Sequence, residues 1–164
     1  MQKWILPFRV VVPVLVLSVL FFSAHYAYDW VEVENGQRDE IIKDQATTLA
    51  EALVSFYEKE VKFPWGSLAN SWTASNKIDI EQLINAELLN TSYKANPEIY
   101  VGRGGGEKDK VWVCFVPQSK HKRVDRIKLK SLSPGEPLPE NGEPSWCEPS
   151  PDWQNSFCYS CVAR

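Results

Sequence analysis

The chain has 164 residues, a formal net charge of −3 and 4 cysteines. Once an apolar N-terminal segment is set aside, that length leaves room for one domain and excludes two. With 7 tryptophans and 11 prolines, the composition excludes a plain helical bundle, and so small a net charge names no partner by itself.

From Val10 to Ala24 the chain is almost uninterrupted hydrocarbon, with Lys3 and Arg9 before it and Asp29, Glu32 and Glu34 after it. A bilayer core takes about 20 apolar residues as a helix. Residues 10–30 supply that span, with Tyr26, Tyr28 and Trp30 where an interfacial aromatic belt sits. A cleaved signal needs small residues at its cleavage site. Phe22 and His25 occupy those places, so the segment is expected to be a retained anchor. Both cations precede it, which keeps residues 1–9 cytoplasmic by the positive-inside rule. The expectation is a single-pass inner-membrane protein whose head, residues 31–164, is periplasmic or extracellular. Cysteines in an even number, all beyond residue 113, fit disulfides in an oxidising compartment.

Asn35-Gly36 predicts a break after the membrane helix. A second helix is expected from about Arg38 to Val61, where Ile42, Ala46, Leu49, Leu53, Phe56 and Tyr57 form one apolar stripe. Asp39 and Glu40 would then sit at its start and favour its dipole. Pro64 ends it, because the residue before proline avoids helical geometry. A short helix follows over Ile80 to Leu89, with Asp79 as its cap.

Beyond Tyr100 the pattern changes to strands. Glu98 to Val101 and Lys110 to Val116 flank a glycine-rich hairpin loop at Gly102 to Gly106. Arg123 to Leu132 alternates and predicts a half-buried strand with a basic outer face. Ser133 to Pro151 reads as a long loop, and Trp153 to Val162 as a closing segment. The fold class is α+β: a membrane helix and an amphipathic helix packed on a small antiparallel sheet, stabilised by disulfides.

Several constellations bear on chemistry. Cys158-Tyr159-Ser160-Cys161 has the spacing of a thiol-disulfide exchange site, but it lacks the following helix such sites use. Cys147, Cys158 and Cys161 with Cys114 or His121 would make four zinc ligands, without the paired spacing that marks zinc modules. Four cysteines leave three pairings open; a bridge from Cys114 closes the longest loop and constrains the unfolded chain most. Gly102 to Gly106 misses the phosphate-loop template. Lys120, Lys122, Arg123, Arg126, Lys128 and Lys130 form the main basic cluster. It offers a surface to nucleic acid, anionic lipid or an acidic partner, or serves only as a solvated strand face. Trp65, Trp72 and Trp112 are expected in the core. No catalytic residue, cofactor or metal is expected.

Leu49-Ala50-Glu51-Ala52-Leu53-Val54-Ser55-Phe56-Tyr57, then Phe63-Pro64, resembles the end of the long helix in type IV pilins and in the pseudopilins of type II secretion. Leu83 to Leu89 followed by Ala95-Asn96-Pro97 is similar to the pilin connector, and the late cysteines to the disulfide-closed pilin terminus. The chain departs from the family at its N-terminus. Pro7 precedes Phe8 where a small residue is processed, and Val12 stands where pilins carry a glutamate. The resemblance implies a structural or accessory subunit of a pilus-like, secretion or conjugation assembly. Its partners would be like subunits, held through the N-terminal helix, and membrane lipid. The other readings are a periplasmic thiol-disulfide protein using Cys158 and Cys161, and a nucleic-acid-binding module using residues 120–130.

Overall fold

The computed structural model describes residues 8–64, 72–103, 110–124, 129–131, 144, 146–147 and 158–164. One helix dominates it: α1, Phe8–Glu60. It is long and apolar enough to cross a membrane. Val14, Leu17, Leu20, Phe21 and Phe22 on its first half all stand exposed. The hydroxyls of Ser18 and Ser23 donate to the carbonyls of Val14 and Val19, each at 2.8 Å. Those two polar groups are thereby satisfied within the helix.

The expected break at Asn35-Gly36 does not occur; α1 runs through both residues. Glycine inside a helix costs about 1 kcal/mol relative to alanine, and contacts with the head outweigh that cost here. A β-carbon built at Gly36 would meet nothing within 4 Å. Gly36→Ala should therefore raise stability by about 0.5–1 kcal/mol, read as a higher urea midpoint of the full chain in micelles.

The helix stops as the sequence predicts. Glu60 is its last residue, and Phe63 and Pro64 turn into the core. Val61 makes the turn at φ 56°, a left-handed conformation that costs a β-branched residue about 1–2 kcal/mol. It is also 77% exposed, so its side chain gains little in return. Val61→Gly is expected to stabilise the protein by about 1 kcal/mol in the same urea titration. A loss of stability instead would mean that the valine packs in a way its exposure denies.

After strand β1 (Thr73–Ala74) and a 3-10 turn (Ser75–Lys77) comes α2, Ile80–Asn85. Asp79 caps it, accepting from the Gln82 amide at 3.3 Å and the Gln82 side chain at 2.7 Å. The helix ends before the predicted Leu89, because Glu87 adopts φ 58°. The Leu88 amide then donates to the Leu83 carbonyl at 3.0 Å and the Glu87 amide to Ile84 at 2.9 Å, a Schellman closure.

The remaining elements are β2 (Ile99–Arg103), β3 (Val111–Phe115), α3 (Lys120–Val124), β4 (Lys130–Ser131) and β5 (Cys158–Ala163). The strands make one antiparallel sheet in the order β1-β2-β3-β5-β4. Alternation sends the residues of β3 to two faces. Val111, Val113 and Phe115 meet Ile42, Ala46, Leu49, Leu53 and Phe56 of α1 in the main core. Trp112 and Cys114 lie on the opposite face with Trp72 and Tyr159. The predicted core tryptophans Trp72 and Trp112 are thus buried, while Trp65 lies outside the described residues. The predicted long loop and glycine-rich loop fall largely outside them as well.

The predicted strand from Arg123 to Leu132 is corrected. Its first two residues, Arg123 and Val124, belong to helix α3, and among the described residues of the rest only Lys130–Ser131 is strand. The Arg123 amide closes a helical turn on the Ser119 carbonyl at 3.2 Å, and its guanidinium donates to the Pro117 carbonyl and the Gln118 side chain. Lysine and arginine are good helix formers, and these local bonds add to that preference.

Candidate functional site

The apolar stripe of α1 continues towards the N-terminus as a polar one. Tyr28, Glu32, Asn35 and Asp39 precede Ile42 at the same three- and four-residue steps, so they share its face. That stretch receives the segment between β3 and α3.

Asp39 is the centre of this junction. It is fully buried. One carboxylate oxygen accepts from the Gln118 amide at 2.8 Å and the other from the Ser119 amide at 2.9 Å. It lies in mid-helix rather than at a helix start, which corrects the dipole role expected for Asp39 and Glu40. The Ser119 hydroxyl donates to Glu32 at 2.6 Å. Lys122 donates to Glu40 at 2.6 Å and reaches the Gly36 carbonyl at 3.5 Å. The Lys120 ammonium lies 4.5 Å from the centroid of the Tyr28 ring, a cation–π distance. Above this junction Arg38 bonds both oxygens of Glu98, at 2.5 and 2.7 Å, and Arg164 bonds Glu51 at 2.7 Å. Such exposed pairs contribute about 0–1 kcal/mol each. The buried Asp39 is the strong member of the set.

The four described residues of the expected basic patch do not form one surface. Lys120, Lys122 and Arg123 gather on α3 against the base of the head. Lys130 lies apart on β4, where it is buried, with its ammonium 3.2 Å from the Trp146 ring centroid and 5.6 Å from that of Trp112. The basic outer strand face is therefore corrected at Lys130: two aromatic rings cover its charge. Arg126 and Lys128 lie outside the described residues.

Lys122 holds Glu40 below the usual carboxylate range, by its hydrogen bond first and its charge second, with Lys43 adding to it. A depressed carboxyl contributes stability above its unfolded value and loses it as pH falls through the folded one. Glu40→Gln should therefore be less stable than the parent at neutral pH and match it only in acid, once the pH is below the lowered folded value. Urea midpoints compared across that range would show it.

All four cysteines are bridged. Cys114 pairs with Cys161, and Cys147 with Cys158. The bridge expected from Cys114 is present, and its Cα atoms are 4.1 Å apart across directly opposed positions of β3 and β5. Cys158 and Cys161 do not pair with each other. Three residues apart on a strand, they face opposite sides of the sheet. Among the described residues no three histidine, cysteine or carboxylate side chains gather as metal ligands.

No family model, curated protein or solved structure matches the chain.

The junction residues Asp39, Ser119 and Gln118 are not among those the sequence singles out for function. Asp39 carried a signal: it sits in register with the apolar stripe, where a charge implies a buried partner. Gln118 and Ser119 carried none, because they contribute mainly backbone amides.

Proposed function

We propose that this is a single-pass membrane protein with an extracytoplasmic head, acting as a structural or accessory subunit of a pilus-like, secretion or conjugation assembly and not as an enzyme. The observation that carries this reading is the division of one continuous helix. Its first half is bare hydrocarbon, and its second half is the core of a disulfide-stapled α+β head. A bare apolar helix seeks either lipid or the like helices of neighbouring subunits. The resemblance drawn from the sequence supports the same reading, and α1 ends at Glu60, shortly before the Phe63-Pro64 of that resemblance. Separate partners for Cys158 and Cys161 support a structural use of both. The N-terminus is cytoplasmic in this reading, with residues 10–30 in the inner membrane.

Site-specific photo-crosslinking in the native membrane tests it. With a photoreactive residue at Leu17, the protein should stay in the membrane after alkaline carbonate extraction and give a ladder of chain multiples on irradiation. Membrane retention with adducts to lipid alone would leave an anchor but reject the assembly role. Release by carbonate would reject both.

A further inference from the structure

We infer that the base of the head is a lipid-headgroup contact, in which Lys120 bonds a phosphate beside Tyr28. This rests on the anchor reading above. From Val10 to Trp30 α1 rises about 30 Å at about 1.5 Å per residue, the thickness of the hydrocarbon core. Tyr28 then falls at the core's edge. It is half-exposed and flanked by Tyr26 and Trp30, both far more exposed. The Lys120 ammonium, 4.5 Å from the Tyr28 ring, is thereby placed in the headgroup layer.

Lys122 and Arg123 follow Lys120 on α3 and add to the positive charge there. Asp29 and Glu32 lie on α1 close to Tyr28 and by themselves would repel a phosphate. Glu32 accepts from Ser119, Asp39 from two amides and Glu40 from Lys122, and His25 lies 3.6 Å from Asp29. Lys120 is itself exposed. Its long stem lets the ammonium reach the phosphate plane while its methylenes lie along the ring. Asp39 fixes the backbone just before it, so the cation is held at one depth. The partner is an anionic phospholipid surface rather than nucleic acid, because the same geometry that sets Lys120 beside Tyr28 sets it against the bilayer.

The test is solid-state NMR on the full chain, carrying nitrogen-15 lysine and carbon-13 tyrosine, in phosphatidylglycerol bilayers and phosphate-free buffer. Dephasing by lipid phosphorus is read at each lysine ammonium, with the Lys120 signal identified by its disappearance in Lys120→Arg. Lys77 is the reference, since it is exposed two residues before Asp79, whose amide reaches Pro64 beyond the far end of α1. The expected result is strong dephasing at Lys120 and Tyr28, none at Lys77, and loss of the Lys120 effect in Asp39→Ala. Dephasing at Tyr28 without Lys120 would overturn the headgroup contact and keep the anchor. No dephasing at either would overturn the anchor as well.

Discussion

Asp39→Ala will cost the protein about 4 kcal/mol. The carboxylate is fully buried and accepts two backbone amides at 2.8 and 2.9 Å. Hydrogen bonds to a charged group are worth about 1.5–3 kcal/mol each, and a buried donor left unpaired costs about 1–3 kcal/mol. Both losses fall on the same segment. Asp39→Asn retains one acceptor oxygen and should cost about half as much. Urea unfolding of the full chain in micelles, followed by near-ultraviolet circular dichroism, measures the effect. Hydrogen exchange at the Gln118 and Ser119 amides gives its location, because protection there should vanish while that of β2 and β3 persists. A cost below about 1 kcal/mol would mean that water replaces the carboxylate, and the junction would lose its importance.

The second large effect is reduction. The Cys114–Cys161 bridge spans 47 residues and Cys147–Cys158 spans 11. The chain-entropy relation gives about 4 kcal/mol for the longer loop and about 3 kcal/mol for the shorter. Their sum is comparable to the whole stability of an ordinary domain, about 5–15 kcal/mol. The fully reduced protein should therefore lose its fixed aromatic packing at room temperature. Paired replacements separate the two bridges: Cys114→Ala with Cys161→Ala should destabilise by more than Cys147→Ala with Cys158→Ala. A reduced and alkylated chain that keeps its near-ultraviolet spectrum would show that the core of α1 and the sheet suffices alone.

Much of this fold was legible because its signals are local. The stripe from Ile42 to Phe56 is one face of a helix by spacing, Pro64 stops that helix, Asp79 caps the next, and Val111 to Phe115 is a strand by composition. The parts that were not legible depend on residues distant in sequence. Asn35-Gly36 reads as a break until Ser119 and Lys122 hold the turns around it. The residues of α3 read as strand until Asp39 fixes the amides before them. Lys130 reads as solvated until Trp112 and Trp146 cover it. The disulfide pattern waited on strand phase, since only that sets Cys158 and Cys161 on opposite faces. The carboxylate partner of Lys122 and the aromatic partner of Lys120 lie on α1, some eighty or more residues earlier.

The strand order has a consequence for how the head is made. β5 comes last in the chain, yet it lies between β3 and β4 and carries one cysteine of each bridge. A chain delivered from its N-terminal end has α1, α2 and the β2–β3 hairpin in hand well before β5 arrives. Until then the inner edge of β3 has no neighbour and Cys114 no partner. Biogenesis therefore includes an interval in which an open strand edge is presented to whatever else is nearby. Synthesis that stalls before Cys158 would leave a half-built head prone to aggregation and to wrong sulfur pairing.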